Sequence, residues 1–181
     1  MTLKRSILIE GPDGSGKSEL FNKLTDSWGL PSAGHDGGPL RDAGEAWKRM
    51  AMFAACSPAV RDRCPAISEL VYSEALGREP VMDLEEALEW LEKFNPFIIM
   101  CRPPQSVIMA QPVQEKAHKS TALVLDIMEM RGDVINMYDA LTIRIMRRKK
   151  LKIYLYDWTT DKEGDFVWQA LIEEGVCADS L

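Results

Sequence analysis

Residues 9–18, Ile-Glu-Gly-Pro-Asp-Gly-Ser-Gly-Lys-Ser, restrict what this chain can fold into more than any other stretch. From Gly11 to Ser18 they fit G-x-x-x-x-G-K-[ST] without a mismatch. Glycines let such a loop curl tightly and turn its backbone N–H groups inward, which makes a cradle for an anion. A helix starting near Gly16 adds the positive end of its dipole. Lys17 can reach the β- and γ-phosphates of a nucleotide, and the Ser18 hydroxyl suits Mg²⁺, a hard cation that prefers oxygen ligands. Gly11, Asp13, Gly14, Ser15, Gly16, Lys17 and Ser18 are therefore the candidate nucleotide-binding set. The flanks agree with this reading. Ile7 and Ile9 lie in a short apolar run that reads as a buried strand, and Leu20, Phe21, Leu24 and Trp28 recur at helical spacing.

The chain has 181 residues, enough for one domain with a substantial core, and 46% of them are hydrophobic. Helices are expected near 16–28, 41–55, 66–77, 84–94, 121–149 and 166–174. Strands are expected near 5–10, 31–35, 57–62, 96–101 and 151–158. Asp83 and Glu86 form a capping-box pattern ahead of the fourth helix. Strands alternating with helices imply a parallel sheet covered on both faces, with ligands at the carboxyl ends of the strands. No apolar run suggests a signal peptide or a membrane span. Cys56, Cys64, Cys101 and Cys177 form no CxxC pair and read as reduced thiols, so a cytoplasmic location is expected. A formal net charge of −6 argues against a protein that simply coats nucleic acid.

Loops of this type serve switches, motors and kinases alike. A GTPase would show DxxG after its third strand and NKxD later. Asp161 to Gly164 match DxxG but follow the last strand, and Asn22 to Thr25 miss NKxD inside the first helix. A motor would need more chain. A small kinase fits the length.

The opening loop resembles that of the thymidylate-kinase-like P-loop nucleotide kinases, which carry E-G-x-D-G-x-G-K-[ST]. Asp62-Arg63-Cys64-Pro65-Ala66-Ile67-Ser68-Glu69-Leu70-Val71-Tyr72 resembles their second signature, in which Asp-Arg ends a strand. Met100 to Pro104 and Gly34 to Pro39 are similar to segments of small bacteriophage-encoded members. The resemblance implies an α/β, three-layer P-loop kinase fold over residues 1–181, with about five parallel strands and helices on both faces. It implies ATP as donor and Mg²⁺ as the ion. It implies that Asp13 bonds the acceptor sugar's 3′-hydroxyl, that Asp62 stands near the metal with Ser18, and that Arg63 grips the acceptor's phosphate. Lys17, Asp62, Arg63 and Asp13 are thus the candidate catalytic set. The chemistry agrees, because phosphoryl transfer needs positioning and cations against charge on the equatorial oxygens. The plainer alternative for Asp62 and Arg63 is a solvated ion pair.

The chain also departs from that pattern. The family's Arg-Glu-Pro-Gly-Gly-Thr after the second strand is replaced by Gly34-His35-Asp36-Gly37-Gly38-Pro39, and its Tyr-Gln by Tyr72-Ser73. The acceptor pocket is therefore rebuilt. Residues 103–120 fill the place of the lid, with Lys116, His118 and Lys119 but no arginine; Lys116, or Arg102 at the root, is the expected closing charge. The donor base is expected over Tyr156-Asp157-Trp158-Thr159. Arg131-Gly132-Asp133 spells an adhesion tripeptide by coincidence. The basic run at 144–150 reads as cations at a helix C-terminus, with nucleic-acid contact as the alternative. The expected partners are a nucleotide-type acceptor, DNA as an alternative substrate, and a second copy of the chain; no membrane is expected. A deoxynucleoside monophosphate is the leading acceptor. The alternative acceptor is 5-hydroxymethyluracil in phage DNA during base hypermodification, and a nucleotide-binding module without transfer activity is the other reading.

Overall fold

A computed structural model describes residues 2–36, 40–112 and 130–178. Its centre is a five-stranded parallel sheet built from β2 (Ile7–Glu10), β3 (Ser32–His35), β4 (Val60–Asp62), β5 (Phe97–Cys101) and β6 (Lys152–Tyr156). The strand order is β3-β4-β2-β5-β6, with every neighbouring pair parallel. Near the ends of the chain, β1 (Thr2–Leu3) pairs antiparallel with β7 (Cys177–Ala178).

Helices cover both faces of the sheet. α1 (Lys17–Asn22) and α7 (Asp165–Glu173) lie on one side, where Ile7, Ile9 and Ile99 pack with Leu20, Leu24 and Val167. α2 (Ala43–Ala55), α3 (Pro65–Ala75), α4 (Leu84–Phe94) and α6 (Arg131–Met146) lie on the other, where Leu8 and Ile98 pack with Phe53, Ile67, Leu88 and Tyr138. Successive strand residues feed opposite faces. With both faces covered, β2 and β5 are buried at every position, which is why they read as apolar runs, β2 as far as the buried Glu10 that ends it. The fifth α-helix in chain order, α5 (Gln105–Ala110), follows β5.

The expected α/β architecture holds, with shifts at the edges. The helix expected over 16–28 is α-helical to Asn22 and then π-helical from Lys23 to Ser27. At that change the Thr25 hydroxyl donates to the Phe21 carbonyl, 3.0 Å, and competes with the backbone for it. β4 begins at Val60 rather than at 57, because Pro58 has no N–H to give a ladder. Asp83 caps α4 as expected, accepting from the N–H groups of Glu85 and Glu86 at 2.8 and 3.2 Å. The long helix ends at Met146 instead of 149, and its expected start at 121–129 lies outside the described residues. Among the described residues, no helix is long and apolar enough to cross a membrane.

Candidate active site

β2 delivers Glu10 to the carboxyl edge of the sheet, and the glycine loop turns from there into α1. Gly14 and Gly16 have left-handed φ, and close neighbours also leave no room there for a side chain. A Cβ on Gly14 (φ 82) would lie 2.5 Å from Arg131 Nη2, and one on Gly16 (φ 89) would lie 2.7 Å from Trp158 Cδ1. Lys17 is buried inside the curl. Its Nζ donates to the Pro12 carbonyl at 2.6 Å and stands 3.9 Å from Asp13 Oδ1. Burial and then the nearby Arg63 charge lower its pKa, while Asp13 and Asp62 pull the other way. The site therefore holds confined positive charge that a polyphosphate would relieve.

Asp62 ends β4 and is buried. Its Oδ2 lies 3.4 Å from the Ser18 hydroxyl and 2.7 Å from His35 Nδ1, while its buried Oδ1 has no hydrogen-bond partner among the described residues. Ser18 and Asp62 thus present oxygens to one spot, with one carboxylate oxygen unspent. That fits Mg²⁺, which usually keeps several waters and takes only one or two protein oxygens. Among the described residues there is no cluster of three His, Cys, Asp or Glu that would form an all-protein metal cage.

The next residue points elsewhere. Arg63 has φ 69, and its N–H donates to the Ile9 carbonyl at 2.9 Å. Its guanidinium bonds Asp13 Oδ1 and sits 5.9 Å over the Tyr72 ring. Burial works against its charge, but Asp13 and the surrounding acidic groups outweigh it and hold its pKa well above the ordinary value. The expected alternative of a solvated Asp62–Arg63 pair is not what forms, since the two side chains take different partners. Beneath them, fully buried Glu10 accepts from the Cys64 N–H at 2.6 Å and from the Tyr138 hydroxyl at 3.1 Å. Burial pushes its pKa up to about 7, against the pull of the Cys64 N–H, Arg63 and Lys17.

Of these groups, Asp13, Lys17, Ser18 and Arg63 open on a cavity of about 510 Å³, which Arg131, Trp158 and Lys162 also line. That volume is ordinary for a small-molecule site. Tyr156 and Trp158, from the stretch expected to meet the donor base, line it. The Trp158 Nε1 is buried without a hydrogen-bond partner among the described residues. Arg131 is the residue that sequence reasoning missed. It is 6% exposed, donates from Nη1 to the Gln111 carbonyl at 2.6 Å and from Nη2 to the Asp13 carbonyl at 3.3 Å, and its Nε has no partner among the described residues. Its place in the chain carries no signal of this, since it falls past the expected lid of 103–120, inside the expected helix 121–149 and inside the tripeptide read as coincidence.

Other expectations are corrected. Arg102 is not turned to the cavity; it forms a two-pronged pair with Asp139 at 2.6 and 2.7 Å. Within the expected lid, 105–110 is helical, and Lys116, His118 and Lys119 lie outside the described residues. Asp36 is taken by Arg49 at 2.9 Å and Arg61 at 3.5 Å, while Gly37, Gly38 and Pro39 lie outside the described residues. In the basic run, Arg148 pairs with Glu85 and Glu92, which weakens the case for a strand-binding patch. Asp161, in the DxxG match, accepts from the N–H groups of Phe166 and Val167 at 3.3 and 3.0 Å and so caps α7.

Solved structures share this fold. YorR from Bacillus subtilis, in complex with phosphorylated GDP, aligns over 95% of this chain and 99% of its own, with TM-score 0.63 and 19% identity. The chain has the fold of thymidylate-kinase-like P-loop kinases. Thymidylate kinase from Candida albicans aligns over 98% of this chain and 96% of its own, with TM-score 0.57 and 14% identity. Deoxyadenosine kinase from M. mycoides, with bound dCTP, aligns over 93% and 99%, with TM-score 0.57 and 11% identity. No family model and no curated protein sequence matches the chain.

Proposed function

We propose that this protein transfers the γ-phosphoryl group of ATP to a nucleotide-type acceptor, with a deoxynucleoside monophosphate as the leading acceptor. The observation that carries the proposal is the convergence of Lys17, Arg63 and Arg131 on one cavity beside the Ser18–Asp62 pair. Three cations and a hard-metal site answer the charge of a polyphosphate undergoing transfer. Likeness to a thymidylate kinase and a deoxyadenosine kinase supports a nucleotide-type acceptor.

In this reading the glycine loop cradles the donor phosphates and Lys17 neutralises them. Trp158 backs the donor base. Ser18 and Asp62 would hold Mg²⁺, which supplies charge neutralisation between the transferring oxygens. Arg63, fixed by Asp13 and Tyr72, binds the acceptor's phosphate, and Asp13 receives its sugar hydroxyl. The oriented guanidinium suits a phosphate better than a lysine would, because its fork can bond two oxygens at once.

The test is transfer of labelled γ-phosphate from ATP with Mg²⁺ to deoxynucleoside monophosphates, to unmodified DNA and to DNA containing 5-hydroxymethyluracil. Label on a mononucleotide, lost in Lys17→Ala, is the expected result. Label only on the modified DNA would replace the acceptor. ATP binding without transfer to any of them would leave a nucleotide-binding module.

A further inference from the structure

His35 stands at the end of β3 and Asp62 at the end of β4, and the two are Cα partners across adjacent parallel strands. Their side chains meet at the carboxyl edge of the sheet, Nδ1 to Oδ2 at 2.7 Å. A carboxylate can only accept, so Nδ1 carries the hydrogen and donates it. The ring is steadied from below: its centroid lies 4.3 Å from that of Phe21, a buried residue of α1. His35 thus rests on Phe21 of α1, the helix that follows the glycine loop, and bonds Asp62 of β4.

Asp62 needs such a hold. The Ser18 hydroxyl reaches the same Oδ2 at 3.4 Å, and Oδ1 has no hydrogen-bond partner among the described residues. The terminal torsion of an aspartate is broad, so a carboxylate bonded weakly on one oxygen can rotate. Among the described residues, the 2.7 Å bond from His35 is the shortest to that carboxylate. We propose that His35 is a positioning residue: through Nδ1 it fixes the Asp62 carboxylate so that its oxygens face the metal–nucleotide complex. His35 lies in Gly34 to Pro39, the segment in which this chain departs from the pattern its opening loop resembles. The inference rests on the proposed ATP-dependent transfer.

The test compares His35→Ala, His35→Asn and His35→Gln with the wild type. Asparagine places an amide N–H near the position of Nδ1, whereas glutamine places one near Nε2. Mn²⁺ would replace Mg²⁺, and its binding in the presence of a non-hydrolysable ATP analogue would be followed by electron paramagnetic resonance, beside kcat and KM with Mg²⁺. Outer-shell partners of a metal site typically govern affinity or activity by about 10- to 100-fold. His35→Ala is expected to lose that much in Mn²⁺ binding and in kcat, with the acceptor KM little changed. His35→Asn recovers most of both, and His35→Gln does not.

Recovery by His35→Gln but not by His35→Asn would overturn the proposal and assign the role to Nε2. Unchanged Mn²⁺ binding in His35→Ala would overturn it as well. If His35→Ala fails to fold, the asparagine and glutamine variants carry the same comparison. A wild type that binds no Mn²⁺ with the analogue would overturn the proposed function and this inference together; normal wild-type binding with an indifferent His35→Ala overturns the inference alone.

Discussion

Arg63 shows how a single residue can serve the site at the fold's expense. Its φ of 69 is in the left-handed region, where a Cβ costs roughly 1–2 kcal/mol. The surroundings enforce it: the Arg63 N–H bonds Ile9 of β2, and the next N–H, that of Cys64, bonds Glu10. The turn swings Arg63 away from Asp62 and onto Asp13, separating the proposed metal-side acid from the proposed acceptor-side cation. Such strain is found where function holds a conformation that stability alone would not choose. Arg63→Ala and Arg63→Gly both lose the guanidinium, so acceptor use is expected to fall much more than ATP affinity in both. The backbone separates them. The glycine variant should unfold at higher denaturant than the alanine variant, by about 1 kcal/mol. Equal stability of the two would mean that the turn is unstrained. The residue type and its place after a strand could be read from sequence; the φ that aims it could not, because it depends on bonds from β2.

At the scale of elements, legibility follows burial. β2 and β5 could be read because both faces are covered and every side chain is apolar or satisfied. α5 could not, since it has six residues and buries only Ile108. Likewise β1 and β7 are two residues each and show no period. Arg131 opens α6 and was missed because a buried arginine is recognised by what folds over it, here Gln111, Asp13 and the bare Cα of Gly14. If it faces the phosphates, Arg131→Ala should lower kcat on the order of 10²-fold, the usual loss on removing one preorganised donor. Arg131→Lys should not restore it, since an ammonium cannot bond two carbonyls along a fork. A kcat within twofold of wild type in Arg131→Ala would make it a structural clamp. α7 offers a contrast. Its Asp161 cap is structural, so Asp161→Ala should cost about 1 kcal/mol of stability in denaturant unfolding. No loss would mean that water replaces the cap without penalty.

At the scale of the whole molecule, Glu10 joins the parts. It ends the central strand, accepts from Cys64 at the start of α3, and accepts from Tyr138 in the middle of α6. One carboxyl thus binds the sheet to two helices of the opposite layer, directly under the glycine loop. Tyr138 is fully buried, and burial together with Glu10 raises its pKa well above the ordinary value, so it remains the donor of that bond. Burial also raises Glu10 from its ordinary 4.5 to about 7. Between those values the folded chain keeps a proton that the unfolded chain has released. Stability must therefore fall as pH rises through that window, the reverse of the usual paired carboxylate. Glu10→Gln isolates the effect, because its amide still offers an oxygen to the Cys64 N–H and an N–H to the Tyr138 oxygen. Denaturant unfolding of both proteins across the pH range gives the difference. The wild type is expected to lose stability relative to Glu10→Gln as pH rises from about 4.5 to about 7, and the difference should level off above that. A difference independent of pH would mean that Glu10 ionises alike in both states. The charges of Arg63 and Lys17 would then be fully compensating its burial, and the centre of the molecule would hold a stable charged triad rather than a proton-bearing tie.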